Sequence, residues 1–425
     1  MLDITFIRDN LEAVEANIRN RNMQADARGT VALHEERSKT IQALEAKRAA
    51  RNDNASKMKG KLEPEQRQSL IDEGKVLKES ISLLEVTLAE LEPRLKAALM
   101  QIPNMAHPAA PVGKTDVENP EVKRVGAPTK FTFTPLDHVQ LGEKLDIIDF
   151  EAGTKVSGTK FYFLKNEGVF LELALVRFAL DLVVKKGFTP FITPDIAREE
   201  VLTGIGFNPR GAESNIYPLE GTDTCLVGTA EITLGGYYAE QIVDVSQGPI
   251  LMAGLSHCFR REAGAHGQFS KGLYRVHQFT KVEMFALCRP EESDALHETI
   301  REIEEEIFTA LEIPFRVVDT CTGDLGAPAY RKYDLEAWMP GRGDGEYGEV
   351  TSTSNCTDFQ ARRLGIRYKD AQGRNRPVHM LNGTAMAVSR GIISILENFQ
   401  QADGSVRIPA RLVPYTGFDL IRPRK

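Results

Sequence analysis

Between about Ala27 and Leu99 the chain carries almost no proline or glycine, and no other stretch limits the possible folds so tightly. Its second half repeats apolar or small residues at alternating steps of four and three: Leu70, Gly74, Leu77, Ile81, Leu84, Leu88, Leu91, Leu95 and Ala98. A seam of this period lets one helix pack along another, and a strand cannot use it. The first half is less regular, with Leu33, Leu44, Ala55 and Met58 on a seam shared with Arg37, Arg48 and Arg51. Between the halves, Lys59–Pro64 reads KGKLEP and supplies Gly and Pro where the chain must reverse. The expected structure is an antiparallel two-helix coiled coil with its tip near residue 60. At about 1.5 Å per residue, an arm of about thirty residues projects roughly 45 Å.

Charge is uneven along this arm. Lys47, Arg48, Arg51, Lys57, Lys59 and Lys61 cluster near the tip with a single acid, Asp53, among them. Such a run can be a solvated helical face, or an electrostatic footprint for a phosphate backbone. The whole chain has a formal net charge of -7, which argues against indiscriminate nucleic-acid binding while allowing a local basic patch.

From Ile102 the composition changes. Residues 102–128 are rich in Pro and Gly and read as a linker. Beyond them, short alternating strands mix with a few helices, which predicts an antiparallel α+β domain. The expected division is therefore a helical arm over 1–101, a linker over 102–128 and a second domain over 129–425. The most apolar run, from Val169, is broken by Glu172, Arg177 and Asp181, so a largely buried helix is expected and no membrane span. Five cysteines are scattered without a Cys-x-x-Cys pair, and the N-terminal residues resemble no secretory or transit signal. A reducing, cytoplasmic setting is expected, without a disulfide framework or a zinc site.

The usual phosphate-binding motifs do not help. No G-x-x-x-x-G-K-[ST] loop is present, and Gly343–Gly348 matches G-x-G-x-x-G outside any strand–loop–helix context. The informative stretch runs from Phe259 to Phe285. If Leu255–Glu262 and Gly272–Phe285 are antiparallel strands joined by the loop Ala263–Lys271, residues two apart share a face. Arg275, His277, Phe279, Lys281 and Glu283 then lie together, while Tyr274, Val276, Val282 and Met284 face a core. The first face offers cations, an aromatic plate and a carboxylate, and Arg260 across the hairpin could clamp a phosphate. Such a face suits an elongated ligand, and it equally suits a solvated hairpin.

Phe259-Arg260-Arg261-Glu262 followed by Gly272–Phe285 resembles motif 2 of the class II aminoacyl-tRNA synthetases, in particular the seryl-tRNA synthetase family. Gly187–Ile196, with Pro194, is similar to motif 1, which in that family helps form a dimer interface. Leu381–Gln400 resembles motif 3. Gly228–Leu234 is similar to the family's Thr-x-Glu serine-binding strand, and Gly348–Arg363 to its ATP-contacting strand. The resemblance spans almost the whole chain and implies a class II antiparallel-sheet catalytic domain behind the coiled-coil arm.

The resemblance also implies roles. Arg260 matches the arginine on the ATP α-phosphate and the substrate carboxylate, and Arg390 the motif 3 arginine on the γ-phosphate; these two are the candidate catalytic residues. Glu262 matches the acid holding the adenine amino group, and Phe279 the ring stacked on adenine. Arg261, Val276, His277, Gln278, Glu349, Val350, Thr351 and Ser352 complete the implied ATP set. Thr229, Ala230, Glu231, Glu283, Asn382 and Thr384, with Arg260, form the implied serine set, Thr384 meeting the serine hydroxyl. Glu349 and Ser352 match residues that hold Mg²⁺ through ATP. The implied activity is ligation of L-serine to tRNA(Ser), with tRNA(Sec) as a further acceptor. In the family such an arm holds the long variable arm of the tRNA, which turns the reading of Lys47–Lys61 toward phosphate contact. The implied assembly is a homodimer.

Two positions depart from the pattern: Ser389 stands where the bacterial family usually has Gly, and Pro209-Arg210-Gly211 replaces an expected Pro-x-Phe run. A non-catalytic paralogue is disfavoured because Arg260, Glu283 and Arg390 are all present. An activator of carrier proteins should lack the arm. A purely structural coiled-coil protein leaves the region after the linker unexplained.

Overall fold

The computed structural model describes residues 1–208, 214–263 and 269–424. The substituted run at Pro209–Gly211 and most of the loop expected over Ala263–Lys271 lie outside the described residues. The chain divides into two compact units, Met1–Met105 and Ala106–Lys425.

The first unit is helical. Helices α1 (Ile4–Asp9) and α2 (Leu11–Asn20) precede α3 (Ala27–Lys57) and α4 (Pro64–Gln101). Asp26 caps α3, its side chain accepting the Gly29 N–H at 2.7 Å. Pro64 opens α4, where a missing N–H costs no intrahelical bond. The reversal falls between Lys57 and Pro64, as KGKLEP predicts. The heptad seam of α4 faces its partner: Leu77, Ile81, Leu91 and Leu95 are buried and the other positions half-buried. The seam of α3 differs from expectation. After Leu44, residues 45–53 are all exposed and the next buried position is Asn54, so Arg51 and Ala55 lie outside the contact. The Asn54 amide donates to the Leu70 carbonyl at 3.2 Å and to Glu73 at 2.8 Å, which supplies partners that Ala55 could not. Arg37 and Arg48 flank the seam and pair across it with Glu92 and Glu85. At the base, Ile7, Val14, Ile18, Ala27 and Ile102 form a small core.

The second unit is built on an eight-stranded sheet. Its strands are β1 (Glu121–Val125), β2 (Thr189–Ile192), β3 (Ile250–Phe259), β4 (Gln278–Cys288), β5 (Phe315–Asp319), β6 (Arg331–Met339), β7 (Glu346–Asn355) and β8 (His379–Ala387). Their spatial order is β1-β5-β6-β7-β8-β4-β3-β2, antiparallel throughout except for the β2–β3 pair. The stretch read as a linker needs correction: β1 is a strand of this sheet, pairing with β5 from Glu121 to Val125. Further back, the His107 N–H donates to the Tyr330 carbonyl and the Thr322 N–H to the Pro111 carbonyl. Pro- and Gly-rich composition marked irregular backbone correctly, but irregular backbone can still be bonded along its length.

Helices α5 (His138–Lys144), α6 (Glu167–Lys185), α7 (Ala230–Tyr237), α8 (Ser293–Ala310) and α9 (Val388–Phe399) pack around the sheet. The apolar run from Val169 forms α6, and only part of it is buried. Leu171, Ala174, Leu175, Phe178 and Ala179 join the main core, whereas Phe170 and Leu173 are 55% and 59% exposed.

A buried pair ties α5 and α9 to the turns at Leu273 and Gly341. His138 Nε2 accepts the Leu273 N–H at 3.2 Å, so its proton sits on Nδ1 and is donated to Glu397 Oε1 at 2.7 Å. The same Oε1 accepts the His138 N–H at 3.1 Å, and Oε2 accepts the Gly341 N–H at 2.8 Å. Glu397→Ala leaves these donors buried and unpaired. The expected result is a loss of about 3–5 kcal/mol in denaturant unfolding, with Glu397→Gln retaining most of the stability. Equal midpoints for wild type and Glu397→Ala would contradict this account.

Candidate active site

A cleft of about 230 Å³ opens in the middle of the sheet, lined from β4 by Phe279, Lys281 and Glu283, from β7 by Glu349–Ser352, and from β8 by Asn382 and Thr384. The expected alternation holds along β4: Phe279, Lys281 and Glu283 face the cleft, while Val282 and Met284 enter the core. It fails before Gln278. Strand β3 ends at Phe259 and β4 begins only at Gln278, because the His277 N–H leaves the ladder for the Lys160 carbonyl at 3.1 Å. The His277 ring donates through Nδ1 to the Arg260 carbonyl at 2.8 Å and packs on Phe161, away from the cleft. Tyr274 and Val276 are buried as expected, Tyr274 in the main core, yet both also line the cleft together with Arg275.

Two arginines reach into the cleft. Arg390 lies in the first turn of α9, paired with Glu349 at 3.0 Å, and its guanidinium sits 4.8 Å over the Tyr274 ring. Arg260 donates through Nε to the Gly228 carbonyl and lies 5.3 Å from the Phe279 ring centre. Glu262, held in the left-handed region at φ 50°, accepts from Arg275 at 3.1 Å. Burial would raise the Glu349 carboxyl, but Arg390, Lys332 and Arg260 outweigh it and hold its pKa below the ordinary value.

Buried carboxylates share the cleft with them. Glu283 pairs with Lys281 at 2.5 Å and accepts the Thr384 hydroxyl at 3.2 Å. Glu231 accepts from Gln360 at 2.7 Å and from Asn382 at 3.0 Å. Burial, and then the nearby Glu283, push the Glu231 pKa up to about 7. Thr229 and Glu231 do not sit on a strand, contrary to expectation. Thr229 is extended and caps α7, its hydroxyl accepting the Glu231 N–H at 3.3 Å. A threonine before Ala-Glu is a good helix start, and that preference overrides the two-residue spacing of a strand.

Of the residues expected in the site, Thr229, Glu231, Arg260, Glu262, Val276, Phe279, Glu283, Glu349, Val350, Thr351, Ser352, Asn382, Thr384 and Arg390 border this one cleft. Ala230, Arg261, His277 and Gln278 do not. Ala230 is buried in α7, the Arg261 N–H bonds the Asn215 carbonyl, and Gln278 is exposed. Phe207, Tyr274, Arg275, Lys281, Ala387 and Ser389 border the cleft without an assigned ligand. The two-residue period placed Lys281 on this face; nothing local marks Phe207, which folding brings from afar. Among the described residues no group of three or more His, Cys, Asp or Glu is arranged to hold a metal ion alone. Glu349 and Ser352 are hard oxygen donors, and the Glu349 side chain is 45% exposed.

An antiparallel sheet whose cleft gathers an arginine at a helix start with buried carboxylates fits a class II synthetase core. Residues 218–399 match the tRNA synthetase class II core domain of the G, H, P, S and T enzymes, and residues 1–106 match the seryl-tRNA synthetase N-terminal domain. The chain is 66% identical to the serine–tRNA ligase of Treponema denticola over 421 residues, covering 99% of this chain and 100% of the relative. It is 57% identical to that of Treponema pallidum over 424 residues, covering 100% of both. Its fold superposes on seryl-tRNA synthetase from Pyrococcus horikoshii complexed with ATP at a TM-score of 0.93, with 42% identity and full coverage of both chains. The chain belongs to the seryl-tRNA synthetase family of serine–tRNA ligases.

The raised Glu231 pKa has a consequence for stability. Unfolded, the carboxyl loses its proton near its ordinary value of 4.5; folded, it keeps it to about 7. Between those values the folded state binds more protons, so stability falls as pH rises, by at most about 3 kcal/mol. Glu231→Gln is neutral throughout and should show a shallower decline between pH 5 and pH 8 in denaturant unfolding. An identical decline in both proteins would refute the assignment.

Proposed function

We propose that this chain activates L-serine with ATP to seryl-adenylate and transfers the seryl group to the 3′ end of tRNA(Ser). The observation that carries the reading is one cleft that gathers Arg260 and Arg390 with Glu231, Glu283 and Thr384. The arginines suit the phosphates of a nucleotide triphosphate, and the carboxylates with Thr384 suit an amino acid. Phe279 offers a plate for the adenine ring, and Glu262, lining the same cleft, suits its exocyclic amine.

In the first step a serine carboxylate oxygen attacks the ATP α-phosphorus and the bond to pyrophosphate breaks. In the second, a terminal tRNA hydroxyl attacks the adenylate carbonyl and AMP leaves. Neither step needs an enzyme nucleophile. Positioning and charge stabilisation by Arg260 and Arg390 supply the catalysis. Glu349 and Ser352 would hold Mg²⁺, which adds positive charge against the phosphates. The Glu283 carboxylate suits the serine ammonium, and Thr384 the serine hydroxyl. A site built to bond a hydroxyl rejects an analogue that lacks one, here alanine.

The arm supports tRNA binding. Lys47, Arg51, Lys59 and Lys61 are exposed near its tip, while Arg48 and Lys57 are exposed and paired with Glu85 and Asp53. Shape and phosphate recognition of this kind would also admit tRNA(Sec) as a second acceptor. A homodimer is supported by Phe170 and Leu173 on α6 and by Ile192, 86% exposed on the edge strand β2. A cytoplasmic setting is supported by five free cysteines, all buried. No described helix is long and apolar enough to cross a membrane.

Serine-dependent ATP–pyrophosphate exchange is the direct test, with alanine, threonine and cysteine in parallel. Wild type should exchange with serine, and Glu283→Ala should lose on the order of 10²-fold in kcat/KM, because the serine ammonium then loses the Glu283 counter-charge. Folded protein that exchanges with no amino acid in the presence of Mg²⁺ would sink the proposal. Replacing Lys57, Lys59 and Lys61 by alanine should leave exchange intact and raise the KM for tRNA. The slope of tRNA affinity against salt should flatten by about 0.9 for each phosphate that these lysines no longer neutralise. Unchanged charging at every salt concentration would remove the arm tip from the tRNA interface.

A further inference from the structure

Glu304, on α8, touches both strands where the sheet parts to make the cleft. Strands β7 and β8 pair only from Thr353–Asn355 with Leu381–Gly383. Just beyond, each carries a bulge: Val350 is extra in β7 against β6, and Ala385 is extra in β8 against β4. Bulges of this kind re-aim side chains and leave ladder groups unmatched. Here they turn Thr351 and Thr384 toward the cleft, and both residues also meet Glu304.

Glu304 Oε2 accepts the Thr351 hydroxyl at 2.8 Å, and the carboxyl lies against the β8 backbone at Gly383 and Thr384. Thr384 in turn donates its hydroxyl to Glu283. The side chain is 1% exposed, and its other oxygen, Oε1, has no hydrogen-bond partner. Gly383 makes the approach possible, since a Cβ there would lie 2.9 Å from Oε1 and 2.3 Å from the Ile300 side chain. No sequence feature singled out this glutamate, which sits within an acidic helix.

We propose that Glu304 is a positioning residue that clips β7 to β8 across their gap and so sets the width of the amino-acid end of the cleft. The inference rests on the serine-activating reading given above. Burial pushes its pKa well above the ordinary carboxyl value, so the neutral isostere glutamine is the conservative replacement. Without the clip, Thr351 and Thr384 are free to separate. The pocket then loses its hold on the serine hydroxyl and gains room for the extra methyl of threonine.

The test is ATP–pyrophosphate exchange with serine and with threonine on wild type, Glu304→Gln, Glu304→Ala and Thr351→Val. Glu304→Ala and Thr351→Val should raise the serine KM about tenfold and narrow the preference for serine over threonine about fivefold or more. Glu304→Gln should stay within about twofold of wild type on both measures. A wild-type serine KM and preference in folded Glu304→Ala overturns the proposal, as does an equal loss in the Gln and Ala variants. If Glu304→Ala does not fold, Thr351→Val decides, and an unchanged serine KM there is equally fatal. Wild type that fails to exchange with serine defeats the underlying reading instead.

Discussion

The separation of β7 from β8 beyond Thr353 and Gly383 is the constraint from which the rest of the catalytic unit follows. A sheet covered by helices would ordinarily close over its middle with apolar side chains. Here two neighbouring strands part, and the gap admits ligand-sized space beside fixed backbone. Polar groups exposed to that gap must be satisfied within low-dielectric surroundings, or they cost more than the fold can tolerate. That requirement explains why Lys281 pairs with Glu283, Arg390 with Glu349, and Gln360 with Glu231. Each charged group is held in one orientation by another, so the cleft is shaped before a ligand arrives.

The same constraint sorts the charges. Arginines reach the cleft from the end of β3 and from the first turn of α9, where a helix start also favours anions. Carboxylates reach it from β4 and from the first turn of α7, deep enough that burial pushes Glu231 up to about 7. One cavity thus offers opposite environments a few residues apart along the strands. A reaction that joins a carboxylate to a phosphate while gripping an ammonium needs that arrangement, and it needs no nucleophile from the protein.

Much of this was legible in the chain. The arm showed itself through a heptad period, which repeats over so many turns that chance cannot imitate it. Phe279, Lys281 and Glu283 showed themselves through the two-residue period of β4. Motif resemblance then gathered residues that no periodicity links, such as Arg260, Thr384 and Arg390. The errors arose where a local signal had two readings. Thr229 and Glu231 fit one face of a strand, yet Thr229 also fits a helix cap, and the cap prevailed. His277 fits an alternating strand, yet its N–H found Lys160. The Pro-rich stretch before residue 128 contains β1, whose partner β5 lies almost two hundred residues later along the chain.

By itself, then, the sequence determined the helical hairpin, the antiparallel character of the second unit, and the residue types that meet ATP and serine in this family. These follow from period, turn residues and short motifs, all of which act over a few residues. The tertiary structure alone decided which side of each strand faces the cleft before Gln278. It decided likewise that the Asn54 amide faces across the hairpin, and that Glu304 grips Thr351 from another helix. Those outcomes depend on where a distant donor or acceptor comes to rest. No local pattern records that position, because a buried hydrogen bond is chosen by the whole fold.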